Sequence, residues 1–201
     1  MAPIVSDSYK EKKRKEILDS AFVCFAQKGF LIATVDDIVQ HSGISKGAIY
    51  NYFKSKDEIF LELMKASTEA TYEKLTGELG TCTNSIDKII HLFDMYLSPK
   101  DREDIGNIVV HDEFKLHASR HPELLEKLNQ RRHEYFIQLF SQIIKEGQHS
   151  GEIKKDLKPE IYANVFWSMI DGAMIQTIYP DFPCNDVINK MREMFLRKIK
   201  A

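Results

Sequence analysis

The segment that decides the fold is TVDDIVQHSGISKGAIYNYF, which spans residues 34–53. Thr34 has the position of a helix N-cap, with Asp37 three residues later where a capping box needs an acid. Ser45 caps a second short helix, which we expect to extend through Phe53. Gly43 lies between the two helices, at a turn whose positive φ glycine adopts at the least cost. Two short, capped helices joined by a glycine turn predict a helix-turn-helix.

The two helices leave a particular set of side chains exposed. We expect them to pack against each other through Ile38, Val39, Ile44, Ile49 and Phe53. The residues left outside are small, basic or hydroxyl-bearing: Ser45, Lys46, Gly47, Ala48, Tyr50, Asn51 and Tyr52. Such residues suit a helix that enters the major groove of DNA by its N-terminus, because they add little bulk and bring donors for bases and phosphates.

The rest of the chain has the pattern of an all-α protein. Apolar residues recur at helical spacing almost everywhere, and no segment sustains the alternation of a strand. Beyond the helix-turn-helix we expect helices near 10–28, after Ser55, and near 85–97, 103–118, 122–147, 159–178 and 185–199. The predicted domains are a three-helix helix-turn-helix domain over residues 1–54 and a helical bundle over residues 55–201.

Composition limits the class of protein. The 201 residues are 43% hydrophobic and carry a net charge of −2, so a core can form without disulfides or metal. The cysteines are odd in number and far apart, which favours a reducing compartment and forms no zinc-type pair. No run approaches the roughly 20 apolar residues of a membrane span, and no signal-peptide pattern is present. We therefore expect a cytoplasmic protein with no membrane partner.

Basic residues concentrate in one run, KEKKRK at residues 10–15. Affinity for the phosphate backbone comes from clustered Lys and Arg, so the nearly neutral total charge supports nucleic-acid binding only weakly. The run is either a DNA-contacting arm or the solvated start of the first helix. The sequence leaves both interpretations open.

A longer stretch, SGISKGAIYNYFKSKDEI at residues 42–59, resembles the signature of the tetracycline-repressor (TetR/AcrR) family. The resemblance extends back through Gly29-Phe30 and Thr34 to the first helix. It implies a transcriptional regulator, a repressor that binds palindromic, double-stranded operator DNA as a homodimer. A small apolar or amphipathic effector would release it, and the C-terminal bundle would serve for dimerisation and ligand binding.

The resemblance also implies roles for individual residues. Phosphate contacts fall at Thr34, Tyr50 and Lys56. Contacts with the DNA backbone or bases fall at Asn51 and Tyr52. For Tyr50 and Tyr52 the alternative is packing in the protein core. The reading edge of the recognition helix comprises Ser45, Lys46, Gly47 and Ala48. Because only Lys46 is a strong donor there, we expect base specificity to depend on few direct contacts together with DNA shape.

The C-terminal part is less diagnostic. The resemblance implies that its last two helices pair with those of a second subunit, and the candidate interface residues are Phe166, Met169, Met191 and Phe195. The candidate residues of a mostly apolar pocket are Phe93, Tyr96, Phe114, Phe136 and Trp167. Plain core packing within the chain is the alternative for both sets. Asp171, a lone carboxylate on an apolar helix, either pairs locally or attracts a cationic ligand.

Metal binding and catalysis find little support. Glu113, His117 and His121 follow the spacing of one helical face, but Pro122 comes next and no further ligand is evident. No nucleophile elbow or phosphate-binding loop is present. We therefore expect no metal, no cofactor and no enzyme activity. The alternative function is an enzyme or small-molecule carrier that uses the C-terminal pocket and keeps the N-terminal helices as structure only.

Overall fold

The expected all-α architecture is confirmed. A computed structural model describes residues 7–97 and 102–201, the second range with side chains from residue 107 onward. A π-helical turn, Arg132–Ile137, joins α7 to α8. The α-helices of the described residues are α1 (Asp7–Lys28), α2 (Val35–Ser42), α3 (Lys46–Tyr50), α4 (Lys56–Leu79), α5 (Ser85–Asp94), α6 (Arg102–Ala118), α7 (Pro122–Arg131), α8 (Gln138–Ser150), α9 (Pro159–Gln176) and α10 (Cys184–Ile199).

Two predicted helices end differently in the structure. Helix α3 stops at Tyr50, because the chain then turns and brings Phe53 into the core. The stretch 122–147, predicted as one helix, is divided by the π-helical turn. A π turn adds about one residue per turn to an α-helix. Over so short a segment, the spacing of apolar residues does not reveal that difference.

The N-terminal core extends beyond the helix-turn-helix. Phe30, in the loop between α1 and α2, packs against Phe60 of α4 and Phe114 of α6. The Phe114 ring centroid is 4.8 Å from that of Phe30 and 4.6 Å from that of Phe60. Aromatic pairs at such separations stabilise a core beyond the area that they bury. Helices α4 and α6 are therefore packed directly against the helix-turn-helix.

This continuous core crosses the predicted domain boundary at residue 54. The division into residues 1–54 and 55–201 stays a prediction. The same packed core contains residues from both ranges, so it shows no boundary at residue 54. Residues 1–6 of the first range and 98–101 of the second lie outside the described residues.

A second core lies among α5, α8, α9 and α10. Phe93, Phe140, Phe166 and Phe195 form its centre, and the rings of Phe140 and Phe166 stack with centroids 4.3 Å apart. Phe166 and Phe195, predicted at a dimer interface, are only 0% and 4% exposed. Side chains with so little free surface are part of the core of the chain, so the structure does not support an interface at these two positions.

Candidate nucleic-acid interface and effector cleft

Side-chain caps set where both helices of the helix-turn-helix begin. The Thr34 hydroxyl accepts the Asp37 backbone N–H at 3.2 Å, and the Asp37 carboxylate accepts the Thr34 backbone N–H at 2.8 Å. Lys28 donates to the same carboxylate at 2.6 Å. These donors, Lys28 first and then Thr34, lower the pKa of Asp37 to about 2. Gly43 has a φ of 69° at the turn, and Ser45 caps α3.

The recognition helix presents its polar residues to solvent. Ala48 is half-buried beside the core. Lys46 Nζ lies 2.9 Å from Asp36 Oδ1, and both side chains are more than half exposed. An exposed ion pair of this kind is worth little, so Lys46 can exchange it for a contact with DNA. The exposed residues of the segment are Ser45, Lys46, Gly47, Tyr50 and Asn51.

Two predicted DNA contacts, Tyr52 and Lys56, are engaged within the protein. Tyr52 is half-buried and packs on the N-terminal core. The Lys56 ammonium donates to the carbonyls of Phe30 at 2.7 Å and Ala33 at 2.9 Å, and it lies 4.5 Å from the centroid of the Phe30 ring. Burial lowers the pKa of Lys56. Lys56 thus holds the loop between α1 and α2, and a phosphate contact requires it to exchange these bonds.

A cleft of about 450 Å³ opens between α4, α6, α7 and α9. Its volume is that of a typical small-molecule site. Trp167 forms part of its wall, where the indole N–H donates to the Phe136 carbonyl at 3.1 Å. The two rings meet edge to face with centroids 4.9 Å apart. These contacts hold two large apolar side chains in place around the cleft.

The cleft includes some of the predicted pocket residues and not others. Tyr96, Phe136, Trp167 and Asp171 line it. Phe93 and Phe114 are wholly buried elsewhere, Phe93 in the C-terminal core and Phe114 in the N-terminal core. Helical spacing groups these residues on apolar faces, but it does not say whether such a face meets another helix or a cavity.

The cleft also has four ionisable residues that were not predicted from the sequence: His111, Lys115, Arg131 and Arg132. No local signal distinguishes them, because charged residues on amphipathic helices are usually solvated. Lys115 Nζ lies 3.5 Å from Asp171 Oδ2 and 3.1 Å from Asp112 Oδ1. Asp171 therefore has a local partner, and its attraction of a cationic ligand stays a prediction.

Comparison with known proteins identifies both parts of the chain. Residues 17–63 match the family model for bacterial regulatory proteins of the tetR family, and residues 100–187 match that for the tetracyclin repressor-like C-terminal domain. The uncharacterized HTH-type transcriptional regulator YfiR of Bacillus subtilis (strain 168) is 30% identical over 191 residues, which cover 93% of this chain and 90% of that protein. The chain belongs to the tetR family.

Solved structures share the tetR-family fold over nearly the whole chain. A putative transcriptional regulator from Saccharomonospora viridis, in complex with choline, superposes with a TM-score of 0.77 at 21% identity, covering 95% of this chain and 99% of that one. The regulator FadR from Bacillus subtilis, in complex with stearoyl-CoA, gives 0.69 at 20% identity, covering 92% and 98%. At these identities the likeness establishes the fold.

Membership of the tetR family makes this chain a DNA-binding transcriptional regulator, with the helix-turn-helix as its nucleic-acid interface. The relatives compared are regulators of transcription, so they give no support to the alternative of an enzyme or carrier. Within residues 7–97 and 102–201, no helix is long and apolar enough to cross a membrane.

In this tetR-family chain, α6 contacts the helix-turn-helix with the residues first considered as metal ligands. Glu113 Oε2 accepts the Leu31 backbone N–H at 3.3 Å. His117 Nε2 lies 2.9 Å from Asp57 Oδ1, close enough for an ion pair although the angle is unsuited to a hydrogen bond. Among the residues that the structure describes, no group of three or more His, Cys, Asp or Glu is placed to hold a metal ion. Glu113 and His117 therefore connect α6 to the DNA-binding part.

The stability of the chain is expected to depend on pH through His111. Burial first, and then the charges of Lys115 and Arg131, lower the pKa of His111 from 6.5 to about 3. Because the unfolded chain binds this proton near pH 6.5, the free energy of unfolding should fall as the pH drops below 6.5. Between pH 7 and 5 the loss due to His111 is at most about 2 kcal/mol. Solvent screening reduces it, since a third of the side chain is exposed.

Urea denaturation at the two pH values measures this effect. The His111→Gln variant, which has no titrating ring, should lose less stability between pH 7 and 5 than the unchanged chain does. Equal losses in the two proteins would show that His111 is not held neutral by its surroundings.

Proposed function

We propose that this chain is a repressor that binds palindromic operator DNA as a homodimer and releases it when a small apolar or amphipathic molecule enters the cleft. One observation carries the proposal: α4 and α6 both line the cleft and pack against the helix-turn-helix. Met64 and Lys115 lie at the cleft, whereas Phe60 and Phe114, on the same two helices, contact Phe30. A molecule that displaces either helix must therefore disturb the DNA-binding part.

The proposed DNA contacts are those that the exposed recognition helix offers. Lys46 is the donor for guanine or phosphate, and the Tyr50 hydroxyl and the Asn51 amide reach the backbone or a base. Thr34 lies at the N-terminus of α2, where a phosphate is favourably placed. Tyr52 and Lys56 contact DNA only by giving up packing or hydrogen bonds that they make in the protein. The small residues that allow close approach to the bases are Ser45, Gly47 and Ala48.

The proposed dimer interface lies on α9 and α10. Met169 and Met191 keep part of their surface exposed. Near them Ile161, Val165 and Met194 are 56%, 41% and 60% exposed. Apolar residues repeated along two adjacent helices support burial against the same surface of a second copy. Two-fold symmetry would then set the recognition helices about 34 Å apart, or at a longer spacing that matches the major groove.

Release requires that the ligand prefer one state of the dimer. A molecule that binds the DNA-competent and the DNA-incompetent forms equally well does not change the equilibrium between them. The solved relatives bind ligands as different as choline and stearoyl-CoA. The fold therefore leaves the effector open, and the side chains of this cleft have to select it.

Footprinting on the DNA that flanks the chain's own gene tests the proposal. We expect protection of a palindromic site, with the mass of two chains in analytical ultracentrifugation, and weaker binding as salt is raised. The matched control is the same DNA with one half-site scrambled, which should bind a dimer far less well. A lack of protection in the flanking DNA, or a monomer on the DNA, would refute the repressor model.

A further inference from the structure

We infer that the effector is an amphipathic anion and that Arg131 holds its charged group in the cleft. This inference rests on the proposed function, because it names the chemical class of the molecule that the cleft binds. Three features of the cleft support it: the charges that are already neutralised, the surroundings of Arg131, and the apolar remainder of the lining.

Two charged groups of the cleft, Lys115 and Asp171, are paired with each other. Lys115 lies between Asp171 and Asp112, at 3.5 and 3.1 Å. Arg132 donates to the amide oxygen of Asn164 at 2.7 Å and is exposed to solvent. A cationic ligand at Asp171 would have to compete with Lys115 for the carboxylate. The Asp171 side chain is also 66% exposed, so solvent screening makes it a weak anchor for a cation.

Arg131 and Arg132 are the cleft cations without a carboxylate partner among the described residues, and Arg131 is the less exposed of the two. Its Nε donates to the Thr68 hydroxyl at 2.8 Å, and Nη2 bonds to the same oxygen. Its guanidinium carbon lies 5.3 Å from the centroid of the Phe136 ring. A guanidinium has five N–H donors in a planar fork, so one hydroxyl leaves donors for a further acceptor.

Burial of this guanidinium is unfavourable without an anion. Arg131 is half-buried, and burial lowers its pKa. The positive charge also acts on His111, whose pKa is held low by burial and by the charges of Lys115 and Arg131. An unpaired charge in a poorly solvated site costs free energy that an opposite charge recovers. An anion in the cleft therefore gains more from Arg131 than a neutral or cationic group does.

The rest of the lining suits an apolar body. Met64, Leu128, Ile170 and Met174 face the cleft together with the aromatic wall of Phe136 and Trp167. The π-helical turn begins directly after Arg131, and such turns often occur at functional sites because they change the direction of side chains. Here Arg131 and Phe136, at the two ends of the turn, both reach the cleft.

Titration of the free protein with decyl probes tests the inference. The probes are decanoate and decyl phosphate as the two anions, and decanol and decyltrimethylammonium as the neutral and cationic matches, each below its micelle concentration. Trp167 is the single tryptophan of the chain and lies in the cleft wall, so its fluorescence reports binding. We expect at least one anion to bind about tenfold more tightly than decanol and decyltrimethylammonium. The two anions separate a carboxylate effector from a phosphate effector.

Variants identify the anchor. We expect Arg131→Gln to weaken anion binding about tenfold or more while decanol binding changes little. Arg131→Lys keeps the charge but not the planar guanidinium, so it should lose less affinity for the anions than Arg131→Gln does. It also keeps the test usable if the glutamine variant fails to fold. Arg120→Gln, at an exposed arginine outside the cleft, is the matched control and should change affinity less than about threefold.

Three results would overturn the inference: no saturable binding of either anion, tighter binding of decyltrimethylammonium, or anion affinities that Arg131→Gln leaves unchanged. A separate experiment tests the repressor model. Operator binding by the unchanged chain without any probe decides that model, whereas the titrations need no DNA.

Discussion

A Lys46→Ala variant is expected to bind its operator about thirtyfold more weakly, or worse, than the unchanged chain at the same salt concentration. Lys46 is the strong donor on the exposed edge of α3, and its surface pair with Asp36 is easily exchanged. A base contact is worth about 1–3 kcal/mol, and the proposed two-fold dimer would lose it twice. Tyr50→Ala should act in the same direction through loss of the proposed phosphate contact. Fluorescence anisotropy with labelled operator DNA measures both variants.

The control removes the same charge elsewhere on the protein. Lys74 lies on the distal part of α4, is 78% exposed and pairs only with Glu78, four residues away. Its replacement by alanine should change operator affinity less than about threefold. If Lys46→Ala and Lys74→Ala weakened binding alike, the loss would reflect net charge, and the assignment of α3 as the reading helix would fail.

A Phe114→Ala variant is expected to lose about 3–5 kcal/mol of the free energy of unfolding. Phe114 is wholly buried where α6 meets the helix-turn-helix, between the rings of Phe30 and Phe60. Its removal leaves a cavity between three separate parts of the chain, which can close only if a helix moves. Urea unfolding followed by circular dichroism measures the loss.

Leu116 provides the matched control on the same helix. It is an apolar residue two positions away with 71% of its surface exposed, so Leu116→Ala should change stability by less than about 0.5 kcal/mol. A loss for Phe114→Ala as small as that for Leu116→Ala would mean that α6 is not part of the N-terminal core. The connection between the cleft and the DNA-binding helices would then be refuted as well.

Sequence-based prediction succeeded where the determining contacts are local. The caps at Thr34 and Ser45 each bond to a backbone N–H three residues away. The glycine turn at Gly43 depends on its own φ. Prediction was weaker for aromatic residues of the C-terminal part. Phe93 and Phe166 have the spacing of a pocket and of an interface, yet both are in the core, because every buried helix face has the same apolar pattern.

The sequence by itself determined the all-α class, the helix-turn-helix and the resemblance to its family. Each of these is set by caps, turns and apolar spacing within a few residues. Only the tertiary structure decided which charges meet in the cleft. Arg131 bonds to Thr68 across 63 positions, and Lys115 reaches Asp171 across 56. Whether such a charge is solvated, paired or left for a ligand depends on how distant helices pack, and no local pattern records that.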